Sequence, residues 1–125
     1  MHILGIDPGL SDTGWGVIAY DGKKYQPVSY GVIKTPASHP MQNRIYTIAE
    51  DLGQVSIKYN CSVVAMEDIF FTKNISSAIP VAKVIGAIIH KFSTMSIEVN
   101  LYSPREVKMA ITGMGNAEKI QVQDM

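Results

Sequence analysis

At 125 residues, 46% of them hydrophobic, the chain is long enough for one globular domain with a real core. Its 11 Lys and Arg balance 11 Asp and Glu, which excludes a polyanion surface built on net charge and leaves only a local patch for such a role. The single Cys61 cannot form an internal disulfide, the amino end lacks a signal-peptide pattern, and no segment reads as long enough to span a membrane, so a cytoplasmic protein is expected.

Ile3-Leu4-Gly5-Ile6 is an apolar run that predicts a buried strand, ending on Asp7-Pro8-Gly9. Trp15 to Tyr20 predicts a second strand, Asp21-Gly22 a hairpin turn, and Val28 to Lys34 a third strand that closes an antiparallel meander. Thr35 to Pro40 is a loop. From Met41 to Tyr59, Ile45, Ile48, Leu52 and Val55 recur at helical spacing, with Gly53 as a weak point. Ser62 to Asp68 is a second buried strand ending on carboxylates. A helix between two such strands is a crossover, so they can lie parallel with Asp7 and Glu67 facing each other.

Ala78, Val81, Ala82, Ile85, Ile88, Ile89 and Phe92 mark a second helix, in which Ala78, Ala82 and Gly86 make a row of small residues open to close approach. Pro80 should kink this helix or delay its start. Ile97 to Tyr102 alternates as a fifth strand. Ser103-Pro104-Arg105-Glu106 has the register of a capping box, and after Thr112 to Asn116 a helical pattern resumes through Met125.

Asp7 has two readings at this stage: an Asx-type turn residue, or a ligand at the carboxyl end of a central strand. Glu67 at a parallel strand end makes the second equally good, because paired carboxylates suit a hard divalent cation. Asp68 is the poorer ligand, since adjacent strand residues point to opposite faces. Asp12 and Asp21 read as turn residues, the three histidines as incidental, and the seven methionines as core filler. Lys73, Lys108 and Lys119 lie in or beside loops and gain meaning only if their segments converge on the acidic edge. Gly113-Met114-Gly115 ahead of Lys119 is a weak anion-site signal without P-loop spacing.

Several blocks in register go further. Gly5-Ile6-Asp7-Pro8-Gly9 with Thr13-Gly14-Trp15-Gly16-Val17, then Met66-Glu67-Asp68-Ile69-Phe70 with Lys73-Asn74 and Ser77-Ala78, and finally Val107-Lys108 and Gly113-Met114-Gly115-Asn116-Ala117-Glu118-Lys119 with Gln121-Val122-Gln123 closely resemble the RuvC-type Holliday junction resolvases. The resemblance covers essentially the whole chain. It implies an α/β, RNase H-like fold with a five-stranded mixed sheet flanked by helices, and a single nuclease domain over residues 1–125. It also implies a homodimer, formed through the helix around Ser76 to Phe92, that cuts four-way junction DNA symmetrically in recombination and repair beside a RuvA-RuvB branch-migration complex.

By motif match, Asp7 and Glu67 correspond to two of the family's four acidic metal-binding positions, with two Mg²⁺ expected and Mn²⁺ as a substitute. Phe70 matches the aromatic that wedges against bases at the junction centre. Lys108 and Lys119 match basic residues near the cleaved phosphate, with Lys73 beside the DNA and Lys119 screening charge during cleavage. The other two acidic positions of the family fall on a later helix beyond Met125, and Asp124 is no substitute. Pro80 also departs from the family pattern, as do the apolar Val84 and Ile85. Two other readings follow: a catalytically silent junction-binding or dimerisation fragment, and half of a sugar-kinase or actin-like ATPase, which would need a second phosphate loop that the sequence lacks.

Overall fold

Leu4 and Ile6 alternate with Ile3, Gly5 and Asp7 along β1 (His2–Asp7), which gives the strand one face for a core and another for small or polar groups. In the computed structural model, which describes residues 1–69 and 75–103, β1 is the centre of a five-stranded sheet whose order is β3 (Tyr25–Lys34), β2 (Asp12–Tyr20), β1, β4 (Cys61–Glu67) and β5 (Glu98–Tyr102). β2 (Asp12–Tyr20) and β3 (Tyr25–Lys34) continue from it as the expected antiparallel meander. Helix α1 (Met41–Lys58) carries the chain over to β4 (Cys61–Glu67), parallel to β1. Helix α2 (Ile75–Thr94) then leads to β5 (Glu98–Tyr102), parallel to β4. The mixed sheet is the one the sequence predicts.

Both helices cover the same face. Leu4, Ile6, Val17, Val64 and Met66 from the sheet form one buried cluster with Ile48 and Leu52 of α1 and with Val84, Ile85, Ile88 and Phe92 of α2. Burying such side chains away from water is the main source of stability here, at about 1.5–3 kcal/mol each. Among the described residues the other face carries no helix. It bears Gly5, which pairs with Gly16 of β2 and Ala65 of β4, and Gly14, which pairs with Asp7 at the carboxyl edge.

The strand ends differ from the sequence reading in ways that have local causes. β2 begins at Asp12, which is a strand residue rather than a turn residue and pairs with Lys34 at 3.0 Å across the hairpin. β3 begins at Tyr25 despite Pro27, because it is an edge strand and the register shifts between Val17 and Ile18, where the missing donor is not needed. Asp21 does make the predicted turn, accepting the Lys23 and Lys24 amides at 2.8 Å each, with Gly22 at φ 97°.

Pro80 neither delays nor divides α2, which starts at Ile75 and continues to Thr94. It falls in the second turn, so one backbone donor is lost while the buried face from Val84 to Phe92 holds the remainder in place. Contrary to the sequence expectation, α2 is long and apolar enough by length and composition to cross a membrane. Its most buried residues are core residues of this domain.

Gly53 has a use that propensity hides. A Cβ there would lie 2.8 Å from Lys91 Cε, and the lysine runs across α1 to reach Glu50 at 3.0 Å. By contrast nothing lies within 4 Å of a Cβ at Gly86, so the row of Ala78, Ala82 and Gly86 is not the site of helix approach within the described residues. Cys61 is a small buried hydrophobe as expected, pushed up to about 11 in pKa by burial. Met66 is core, whereas Met1 and Met41 are exposed. His2 is less incidental than it reads, since its Nδ1 hydrogen-bonds the Tyr59 carbonyl and ties β1 to the end of α1.

Leu52 is fully buried between α1 and the sheet. Leu52→Ala should therefore cost about 2–5 kcal/mol, read as a shift of the urea unfolding midpoint at constant slope. A loss below about 1 kcal/mol would contradict the placement of the α1 apolar face in the core.

Candidate active site

The site follows from register. β1 and β4 are parallel neighbours with Ile6 opposite Met66, so the next residue on each strand, Asp7 and Glu67, ends its strand at the same level. Because Ile6 and Met66 point into the helix-covered core, both carboxylates belong to the other face. Asp7 is exposed and Glu67 is half-buried. On its far side Asp7 is opposite Gly14, whose hypothetical Cβ would sit 3.8 Å from Asp7 Cβ, so the absent side chain leaves the approach to the carboxylate open.

The two acids interact directly. Glu67 is held above the usual carboxylate range, first by burial, then by the negative charge of Asp7, and then by a side-chain hydrogen bond between the two. Such a pair favours a shared proton or a cation between its oxygens. Its all-oxygen donor set fits a hard divalent ion. Among the described residues no group of three or more His, Cys, Asp and Glu side chains could hold a metal, so these two make up the acidic cluster seen here. Asp68 is beyond the strand end, where its Oδ1 accepts the Ile69 amide at 2.7 Å. Phe70, Lys73, Lys108 and Lys119 lie outside the described residues, as do the capping box after Ser103 and the Gly113-Met114-Gly115 turn.

The segment following Asp7 is tightly made. An added Cβ at Gly9 would lie 2.3 Å from the Asp12 carbonyl oxygen, so only glycine fits. Thr13 is fully buried and closes the turn, its hydroxyl donating to the Gly9 carbonyl at 2.5 Å and accepting the Gly9 amide at 3.2 Å. Thr35 donates its hydroxyl to the Leu10 carbonyl at 2.5 Å and its amide to the Ser11 carbonyl at 3.0 Å. Arg44 reaches in from α1, donating Nε to Thr35 Oγ1 at 3.0 Å and Nη2 to Ser11 Oγ at 3.0 Å.

Sequence reasoning missed Arg44 and Thr35. A signal was present, because Arg44, Ile48 and Leu52 are spaced by four on one helical row, and a charge in an otherwise buried row needs a partner.

A family model described as crossover junction endodeoxyribonuclease RuvC matches residues 3–125. The chain belongs to the RuvC family. It is 46% identical over 124 residues to the RuvC of Endomicrobium trichonymphae, covering 98% of this chain and 65% of that protein. It is 37% identical over 125 residues to the RuvC of Alkaliphilus oremlandii, covering all of this chain and 76% of the other. The structure of Thermus thermophilus RuvC in complex with Holliday junction substrate matches with a TM-score of 0.79 at 29% identity, over 89% of this chain and 69% of that one. The chain thus spans 65% to 76% of the length of these two RuvC sequences. The fold is RNase H-like, and the RuvC family assignment agrees with the resemblance read from the motif blocks.

The raised Glu67 has a measurable consequence. A carboxyl that binds its proton more tightly when folded than when unfolded contributes stability at low pH, and that contribution is lost as pH rises from its ordinary 4.5 through the raised folded value. Without divalent cations the melting temperature should therefore fall across this window more in the native chain than in Glu67→Gln. Equal pH slopes for the two would contradict the coupling of Glu67 to Asp7.

Proposed function

We propose that this chain carries the catalytic edge of a structure-selective endodeoxyribonuclease that cuts four-way DNA junctions by phosphodiester hydrolysis. The observation that carries the reading is the Asp7–Glu67 pair at adjacent parallel strand ends, in a chain whose family model is a crossover junction endodeoxyribonuclease. The solved complex of Thermus thermophilus RuvC with a Holliday junction substrate supports the choice of DNA structure.

Asp7 and Glu67 would hold divalent cations, Mg²⁺ by preference and Mn²⁺ as a substitute. Bound there, such ions supply a lowered pKa for an attacking water and neutralise charge on the phosphate. Asp7, the more exposed of the two, is the group that substrate approach meets first. While the site lacks a cation Glu67 binds its proton more tightly than a free carboxyl, because its partial burial beside Asp7 disfavours two negative charges. Lys119 and Lys108 are assigned to the phosphates by motif match and Lys73 to the DNA beside them. Phe70 is assigned to the junction centre, where stacking by an aromatic is worth about 1–3 kcal/mol per base. The reading includes a homodimer contact on α2, which the exposure of Ile75 and Ile79 supports, and a partnership with RuvA-RuvB in the cytoplasm, which rests on the family resemblance alone.

A second reading is a module that binds or dimerises on junctions without cutting them.

A labelled synthetic four-way junction with Mg²⁺ or Mn²⁺ separates the two. The nuclease reading expects paired symmetric cuts that Asp7→Asn reduces by at least about a hundred-fold, as the loss of a charge that would hold a cation predicts. Tight binding with no cuts in either metal would favour the silent module, and no junction affinity would sink both. Phe70→Ala should spare junction binding within a few-fold while slowing cleavage. Unchanged cleavage by that variant would remove Phe70 from the junction centre.

A further inference from the structure

Four polar or charged side chains are buried among the described residues: Thr13, Thr35, Arg44 and Ser56. Ser56 bonds within its own helix, to the Gly53 carbonyl. The other three come from β2, the end of β3 and α1, and all converge on the short segment from Gly9 to Asp12. Burying a guanidinium is costly unless its charge is compensated. Arg44 is 8% exposed, yet its acceptors among the described residues are neutral: Thr35 Oγ1, the Thr35 carbonyl at 3.2 Å and Ser11 Oγ. Among the described residues, a positive charge is thus held under this segment with no carboxylate bonded to it.

Ser11 is the outward end of the network. It is exposed, four residues after Asp7, in the loop leaving the carboxyl end of β1. Its Oγ accepts from Arg44 Nη2, which leaves its own O–H free to donate. A hydroxyl that accepts from a cation is polarised and donates more strongly, so the complementary ligand is an anionic oxygen.

Building on the nuclease reading, we propose that Ser11 contacts a backbone phosphate of the DNA strand lying along the Asp7–Glu67 edge, and that Arg44 is the positioning residue that aims it. The Gly9 turn and the Thr13 and Thr35 bonds keep the loop rigid, so the hydroxyl is held ready before the substrate arrives. The Arg44 charge adds attraction for that phosphate from beneath the loop.

The test is a set of equilibrium titrations and cleavage assays on four-way junctions, each carrying one neutral methylphosphonate near the cut. On the unmodified junction Ser11→Ala should weaken binding roughly ten-fold, the range for a hydrogen bond to a charged group, and Ser11→Thr should restore most of it. At one phosphate position the methylphosphonate should abolish the difference between Ser11→Ala and the native chain. Arg44→Lys should lose part of the same effect at the same phosphate, and its loss should not add to that of Ser11→Ala. The melting temperature of Ser11→Ala should fall modestly, because buried Arg44 loses one acceptor, whereas Ser11→Thr keeps that acceptor and should stay near the native value, so binding is compared at a temperature where every variant is folded. If the Ser11→Ala loss multiplies with every methylphosphonate, or is absent, the inference is overturned while the nuclease reading stands. A native chain that binds no junction overturns both.

Discussion

The parallel pairing of β1 with β4 is the constraint on which the rest of this domain depends. It puts Ile6 beside Met66 and so ends the two strands on Asp7 and Glu67 at one level. A slip of one residue would turn Glu67 into the core and bring Met66 out to the edge, since side chains alternate with a period of two. Register is secured from the other face, where Leu4, Ile6, Val64 and Met66 are locked against α1 and α2 in one buried cluster. The geometry of the acids is therefore a by-product of hydrophobic packing on the opposite face of the same two strands.

The same arrangement explains why the site is electrostatically unsettled. Two carboxylates at adjacent strand ends repel, partial burial raises the cost, and the chain answers by holding Glu67 protonated into a higher pH range. A structural ion pair would have removed that tension with a lysine or arginine. Among the described residues the one buried cation, Arg44, bonds instead to Ser11 and Thr35 of the loop. Small residues at Gly5, Gly14 and Ala65 keep the acidic face low around them. The two features together leave an open acidic edge at the carboxyl ends of β1 and β4.

Most of the fold was legible because its signals are local. Alternation along β1, the Asp21-Gly22 turn and the four-residue spacing of Ile48 and Leu52 each declare an element within a short window. The readings that failed concern what one element does to another. Pro80 looked disruptive by propensity, but the buried face of α2 outweighs one lost donor. Gly53 looked like a weakness, yet it is the place where Lys91 crosses α1. Pro27 is tolerated because β3 is an edge strand, a fact that belongs to the sheet order and not to the residue.

For the site, the sequence by itself determined the candidates: Asp7 and Glu67 at the ends of apolar runs, and a set of motif blocks that place the chain in the RuvC family. Those depend on residue type and on spacing along the chain, which a linear pattern preserves. Only the tertiary structure decided that the two acids touch, that they occupy the face without α1 and α2, and that Arg44, Thr35 and Thr13 meet around the loop after Asp7. Residues 13, 35 and 44 are unrelated along the chain, and their meeting is set by sheet order and helix packing. Long-range contacts of that kind are fixed by how whole elements bury their apolar faces, so no local window contains them.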